Sequence, residues 1–407
     1  MRHKINRKIM DKLFYLFFQR LAQTSTQFVR YLYSKIDWES RLIAITGARG
    51  AGKSTLLLQY AKLQFPASKN KVLYVTLDHI WFANNSLFDL GEEFVRSGGE
   101  VLLIDEVHKY KTWAQEIKNL YDFFPQLKIV FTGSSMLEIY KGNADLSRRA
   151  VHYLLHGMSF REFLLYDKQV ELPVLELDKI LENHIEYASI VNEKTKILPA
   201  FKTYLELGYY PYYKTEKKHY HEQLLNTVNT VLEMDLPAVE VIELFSIQKI
   251  KKLLFVIAQR VPFTPNIADL ATQIEVNRNY LLNFLNILEK AQLISLLRQD
   301  VSGVRTLTKP DKIYLNNTNI NFALENDKPD IGNIRETFFF NQLQAVSSVT
   351  STKKGDFKIN DRYIFEIGGK NKGHEQIVGL DNAYLALDNL EYGFGNKIPL
   401  WLFGFLY

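Results

Sequence analysis

Residues 42–54 read LIAITGARGAGKS, an apolar run that breaks into Gly47-x-x-x-x-Gly52-Lys53-Ser54. A hydrophobic strand that delivers the chain into a glycine-rich loop lets the loop's main-chain amides curl around a phosphate chain. The stretch predicted to cradle phosphate is Gly47, Ala48, Arg49, Gly50, Ala51, Gly52, Lys53, Ser54 and Thr55. Within it Lys53 reaches the β- and γ-phosphates as a point charge, and the Ser54 hydroxyl is placed for Mg²⁺. The spacing predicts a helix from about Lys53 to Leu63, whose positive dipole end faces the same anion.

A second stretch strengthens the first. Val101-Leu-Leu-Ile-Asp105-Glu106 is another buried-strand pattern, ending in two carboxylates. Asp105 is expected to hold Mg²⁺ through water, and Glu106 to polarise the water that attacks the γ-phosphate. An apolar run ending in Asp-Glu is common in isolation. Placed after a phosphate loop, with helix-forming sequence between, it implies a nucleoside triphosphatase.

Between and beyond these motifs, strands are predicted at 71–76, 128–133 and 151–155, with helices at about 87–95 and 112–123. Strands alternating with helices at this spacing imply an α/β fold with a parallel sheet covered on both faces. Ligands then lie beyond the carboxyl ends of the strands, where the loop, Asp105 and Gly133-Ser134-Ser135 all emerge.

The composition bounds the rest. With 407 residues, 47% of them hydrophobic, the chain should hold about two or three domains with real cores. There is no cysteine, which excludes disulfides, thiolate metal sites and cysteine nucleophiles. No apolar run approaches the roughly 20 residues needed to span a bilayer. Residues 1–36 are basic and aromatic without the layout of a secretion signal, and read as one or two amphipathic helices on the core. A cytoplasmic protein is the expectation. A net charge of +5 permits nucleic-acid binding without arguing for it.

The chain turns helical from Ser159 to about Phe245. Residues 246–308 then read as three helices (246–259, 265–274 and 277–291) and a hairpin (293–297 with 304–307), the order of a winged helix-turn-helix. Arg278, Asn279 and Asn283 on the third helix, with Arg305 in the wing, are the candidates for duplex DNA. The alternative is a winged helix that only docks neighbouring domains. The last hundred residues mix predicted strands (312–315, 357–359, 363–367, 400–405) with helices (334–346, 375–387).

The pieces TGARGAGKST (46–55), LLIDEVHKYKTW (102–113), FTGSSMLEI (131–139), LSRRA (146–150), MSFREFL (158–164), KPDKIYLNNTNI (309–320) and FEIGGKNKG (365–373) occur in one order. In this, from about residue 40 to the end, the chain resembles the AAA+-type ATPases of bacteria and archaea that carry a C-terminal domain of unknown function. The resemblance implies an AAA+ P-loop core, a winged helix and an endonuclease-like terminal fold, which with the readings above divides the chain into an N-terminal helical segment (1–40), a P-loop AAA+ core (41–158), a helical lid (159–245), a winged helix (246–308) and an endonuclease-like α/β domain (309–407). It implies ATP with Mg²⁺, and it puts Ser134, with Ser135 as runner-up, at the γ-phosphate sensor. Arg149 aligns with the arginine of the family's Leu-x-Gly-Arg stretch, with Arg148 in place of the glycine. It would stabilise charge on the transferring phosphoryl, in a neighbouring subunit if the protein is a homo-oligomer, or else be a surface arginine paired to local acids. His108, which follows the acids, reads as a surface histidine.

Enzymes of the endonuclease-like fold place an Asp on one strand and Glu-x-Lys on the next. Here Asp356 and Glu366 fit, with a hairpin turn at Asn360-Asp361, but Gly368 occupies the lysine position and Lys370 comes two residues late. On a strand that restores the face but moves the ammonium by about 6–7 Å. Three functions follow: an ATPase whose C-terminal modules bind a macromolecule, most simply DNA; an ATP-gated switch with a protein partner; or an ATP-dependent nuclease.

Overall fold

The computed structural model describes residues 7–67, 69–133, 146, 148–215, 217–239, 244–260, 262–299, 309–325, 329–373 and 375–407. Two compact units emerge: Met1–His156 with Glu233–Val241, and Gly157–Leu232 with Ile242–Tyr407. These units do not follow the five expected segments one for one.

The first unit is built on helix α1 (Arg7–Gln23), strand β1 (Leu42–Thr46), helix α2 (Lys53–Gln64), β2 (Val72–Thr76), α3 (Leu87–Arg96), β3 (Val101–Asp105), α4 (Trp113–Phe123), β4 (Lys128–Gly133) and β5 (Val151–Leu154). The five strands form one sheet in the order β2-β3-β4-β1-β5, and every pairing is parallel. Strands β1 and β3 are buried at every residue, because helices cover both faces of the sheet. The reordering of sequential strands brings β1 against β4, and in open α/β sheets ligands bind beyond the carboxyl ends of the strands at such a switch of order. The predicted N-terminal amphipathic helix is present. Phe17, Leu13 and Leu21 of α1 are buried in the same core as the sheet, and Phe17 stacks on Tyr74 of β2 with centroids 6.4 Å apart.

The second unit holds the helices Phe160–Lys168, Leu177–Lys194, Ile197–Leu207 and Tyr220–Thr230, then Leu244–Ala258, Ile267–Gln273 and Arg278–Lys290. Ser159 caps the first with a capping box to Glu162. Phe160, Phe201, Tyr204 and Phe338 interlock at the centre, with ring centroids 4.8 to 6.0 Å apart. After Arg278–Lys290, strand β6 (Ile294–Leu297) pairs antiparallel with β7 (Lys312–Leu315), and Phe263 bridges Ile313. The partner strand expected at 304–307 falls outside the described residues. The strand that pairs with β6 is β7, which lies past the expected boundary at 308 and has its last three residues buried. The Asn316-Asn317-Thr318-Asn319 run is a buried polar knot. Asn319 Oδ1 accepts from the Tyr209 amide at 2.8 Å and the Tyr220 hydroxyl at 2.6 Å, and its Nδ2 donates to Leu205 O at 2.9 Å.

The C-terminal sheet has the order β12-β11-β10-β9-β8, where β8 is Val349–Thr350, β9 Phe357–Ile359, β10 Tyr363–Gly369, β11 Ala383–Asp388 and β12 Lys397–Pro399. Its β9–β10 hairpin turns at Asn360 and Asp361, both with positive φ (51° and 55°), as the Asn-Asp pair implied. Helix Ile331–Gln344 begins three residues before its expected start, capped by Asp330. Two expectations fail. Residues 375–387 form turns and then β11 instead of a helix, because Gly379 and Asn382 take positive φ (73° and 55°) and break the run. Leu400–Phe405 is a buried 3₁₀ helix instead of a strand, which a continuous apolar stretch does not distinguish by periodicity.

Candidate nucleotide-binding site

The loop after β1 is held open from both sides. A β-carbon on Gly47, whose φ is 151°, would stand 2.3 Å from the carbonyl oxygen of Leu155, so only glycine fits there. Leu155 is fixed in turn by its amide, which donates to Thr46 O at 2.8 Å. Arg30, itself buried, donates to Ala51 O and, at 2.7 Å, to His156 O, bracing the far side of the loop. Helix α2 starts at Lys53 directly behind Gly52, so its unpaired amides open toward the loop.

Lys53 is buried, and its Nζ donates to Gly47 O and Ala48 O at 2.9 Å each. Burial pushes its pKa down, against the raising effect of Glu106 and Asp105 close by. Ser54 is half-buried and Thr55 exposed behind it.

The acid pair lies at the end of β3. Asp105 is buried; its Oδ2 accepts from Tyr74 OH at 2.7 Å and its Oδ1 from the Thr132 hydroxyl. Tyr74 in turn accepts from Arg20 Nη1 of α1 at 2.8 Å. Burial and then the Asp105 charge drive the Tyr74 pKa well up, so it stays a donor to the carboxylate. Each Asp105 oxygen keeps a second lone pair, so the group still suits a cation or its water. Glu106 follows with φ 54° and ψ 44°, a left-handed backbone that is uncommon for Glu. Its amide donates to Thr132 Oγ1 at 3.4 Å. The oxygen- and amide-rich loop, the Ser54 hydroxyl and Asp105 form a donor set suited to a Mg²⁺-bound polyphosphate.

His108 is not a surface residue: its side chain is fully buried, with Nε2 3.4 Å from Glu106 Oε2 and 3.6 Å from Asp235 Oδ1. Asp235, also buried, receives Lys109 Nζ at 2.6 Å and Arg49 Nη1 at 3.1 Å. Burial raises its pKa, but the hydrogen bonds and charges of His108 and Lys109 outweigh that and hold it far below the usual carboxylate range. Tyr74, Thr132 and Asp235 were not among the residues singled out from the sequence. Thr132 lay inside the quoted FTGSS piece, but nothing local marks the other two.

Ser134, Ser135 and Arg305 fall outside the described residues. Arg149 grips Asp122 with two hydrogen bonds of 3.0 and 3.1 Å. It precedes β5, whose first residue Val151 pairs with Ile43 near the start of β1. Arg149 is therefore at the amino end of the sheet, opposite the loop, and within one chain it does not meet the phosphates.

In the second unit, Asp356 and Glu366 do come together. Asp356 Oδ2 accepts from the Ile367 amide at 2.9 Å, and Lys312 Nζ bridges Asp356 Oδ1 at 3.2 Å and Glu336 Oε2 at 3.3 Å. Lys370 is exposed and is not the lysine of this cluster. Lys372 takes that place, with Nζ 2.6 Å from Glu366 Oε1. The chain leaves β10 in a turn, Lys372 N–H to Gly369 O at 2.9 Å, and the Lys372 stem folds back over Gly368. A β-carbon on Gly368 would stand 2.5 Å from that of Lys372.

The parallel five-stranded sheet and the loop–acid arrangement define a P-loop domain of the AAA+ type. Residues 39–164 match the family model described as an AAA domain, and residues 198–330 match that of a domain of unknown function (DUF8612). An uncharacterized protein of Methanocaldococcus jannaschii is 29% identical over 289 residues, which is 68% of this chain and 60% of that protein. The chain thus spans about three fifths of that relative's length. Among solved structures, AMPPCP-bound DnaA from Aquifex aeolicus overlaps 69% of this chain and 88% of its own at 14% identity, with a TM-score of 0.26. Cdc6p from Pyrobaculum aerophilum overlaps 80% of this chain and 94% of its own at 11% identity, with a TM-score of 0.26. Overlaps this loose carry no structural argument of their own. Among the described residues no helix is long and apolar enough to cross a membrane.

Proposed function

We propose that the chain binds and hydrolyses ATP with Mg²⁺, and that modules of the second unit bind a macromolecular partner, duplex DNA in the first instance. The observation that carries the first half is a buried lysine, Lys53, held by Gly47 O and Ala48 O inside a loop that admits only glycine at position 47, with the charges of Glu106 and Asp105 acting on it. In this account the amides of residues 47–52 and the Lys53 ammonium hold the phosphates, while Ser54 and Asp105 hold the metal. Mg²⁺, when bound, offsets the phosphate charge. Tyr74 and Thr132 fix the Asp105 carboxylate, and Glu106 takes the proton of the attacking water. Arg149 has a catalytic role only toward a neighbouring copy. The choice of adenine over guanine rests on the family resemblance.

The DNA half is supported by the helix Arg278–Lys290. Arg278, Asn279, Tyr280 and Asn283 are exposed on it, whereas Leu281, Phe284 and Leu285 are buried. We take the three helices and the β6–β7 pair as a winged helix that presents this face to the major groove. ATP turnover is expected to rise when duplex DNA is added, with a stimulation that fades steeply as salt increases. The double variant Arg278→Ala, Asn283→Ala is expected to need roughly tenfold more DNA for half-maximal stimulation. Saturating DNA that alters neither turnover nor electrophoretic mobility would leave a protein partner as the better account.

The Asp356–Glu366 cluster fits a binding role better than a cutting one. Its acids are already matched by Lys312 and Lys372. Among the described residues no three acidic or histidine side chains are gathered for a metal. Plasmid incubated with Mg²⁺ or Mn²⁺ is expected to stay intact. Cleavage that disappears in Glu366→Ala would instead establish a nuclease.

A further inference from the structure

One carboxylate, far from the motifs in sequence, touches both halves of the nucleotide site. Asp235 ends a π-helical turn, Val231–Asp235, a rare geometry that concentrates at functional positions. The chain belongs to the second unit up to Leu232 and again from Ile242, and enters the first unit only over Glu233–Val241. On that short visit Asp235 is 1% exposed and binds Arg49 of the phosphate loop and Lys109 behind the acid pair. His108 stands between Asp235 and Glu106, 3.6 Å from one carboxylate and 3.4 Å from the other.

Placing a third anion beside Asp105 and Glu106 opposes the binding of a polyphosphate, so its presence needs a compensating purpose. A buried carboxylate is costly unless its partners are well placed, and breaking such a set is costlier than never forming it. Here the partners are a loop residue, Arg49, and two residues that lie two and three positions after Glu106, His108 and Lys109. We propose that Asp235 is a positioning residue: it sets Arg49 and, through His108, Glu106, and so ties nucleotide occupancy to the segment that leads into the second unit. This rests on the nucleotide-site reading above.

Asp235→Asn keeps the shape and one acceptor oxygen while removing the charge. The variant is expected to bind MgATP and Mg-AMPPCP about three- to tenfold more tightly, because a nearby negative charge is gone. Its kcat is expected to fall about tenfold or more, because Glu106 loses its fixed orientation. Such a split, with tighter binding and slower turnover, is not what a general loss of stability gives. Asp235→Glu, which restores the charge, is expected to recover part of kcat and lose the gain in affinity. Hydrogen exchange supplies a readout independent of turnover. Adding Mg-AMPPCP to wild type is expected to change the exchange of peptides covering 220–239, and in Asp235→Asn that change is expected to vanish. Wild type that binds nucleotide, with an Asp235→Asn variant unchanged in affinity, kcat and nucleotide-dependent exchange, would overturn the proposal and leave the site reading intact. Wild type that binds no nucleotide would remove both.

Discussion

Replacing Lys53 with alanine is expected to weaken MgATP binding by at least about a hundredfold, the scale of losing a charge-assisted hydrogen bond in a partly desolvated site. The ammonium has two tasks. It donates to Gly47 O and Ala48 O, which holds the loop in its curl, and under the proposed function it is the buried positive charge that meets the phosphates. Alanine removes both while leaving α2 intact, since it is a stronger helix former than lysine. Isothermal titration with MgATP checks this. Affinity within a few-fold of wild type would show that the phosphate does not sit at Lys53.

Glu106→Gln is the complementary case. The amide is nearly isosteric, so MgATP affinity is expected to stay within about threefold, and kcat to fall about 10²- to 10⁴-fold through loss of the general base. The left-handed backbone at this residue and its amide contact to Thr132 do not depend on the side-chain charge. A phosphate-release assay beside the binding titration separates the two effects. Turnover equal to wild type would move the base elsewhere, and lost binding would mean that Glu106 is structural.

The core of the first unit was legible because its signals are local. An apolar strand, a glycine loop and a helix occupy consecutive residues, so Leu42–Gln64 is readable without knowing any distant contact. The same holds for Val101–Glu106. What the chain hid was long-range. Asp235 lies in helical sequence with no pattern that points to Arg49, and the contact exists only because the chain returns to the first unit for a few residues. His108 looked like a surface side chain because a tetrapeptide does not reveal what covers it. Strand arithmetic puts Lys370 on the right face but about 6–7 Å too far along, and it assumes that the strand continues; the chain turns at Gly369, and Lys372 folds back instead. Leu400–Phe405 was misjudged because a short, wholly buried run lacks the alternation that separates strand from helix.

Residues 47–55 with Asp105 are proposed to form one Mg²⁺-dependent nucleotide site per chain. The most direct measurement is equilibrium titration of the full-length protein with ATP, with and without Mg²⁺. Saturation at one nucleotide per chain, tighter with the metal and lost in Lys53→Ala, is the predicted result. Absence of saturable binding by the wild type, or binding indifferent to Lys53, would contradict it.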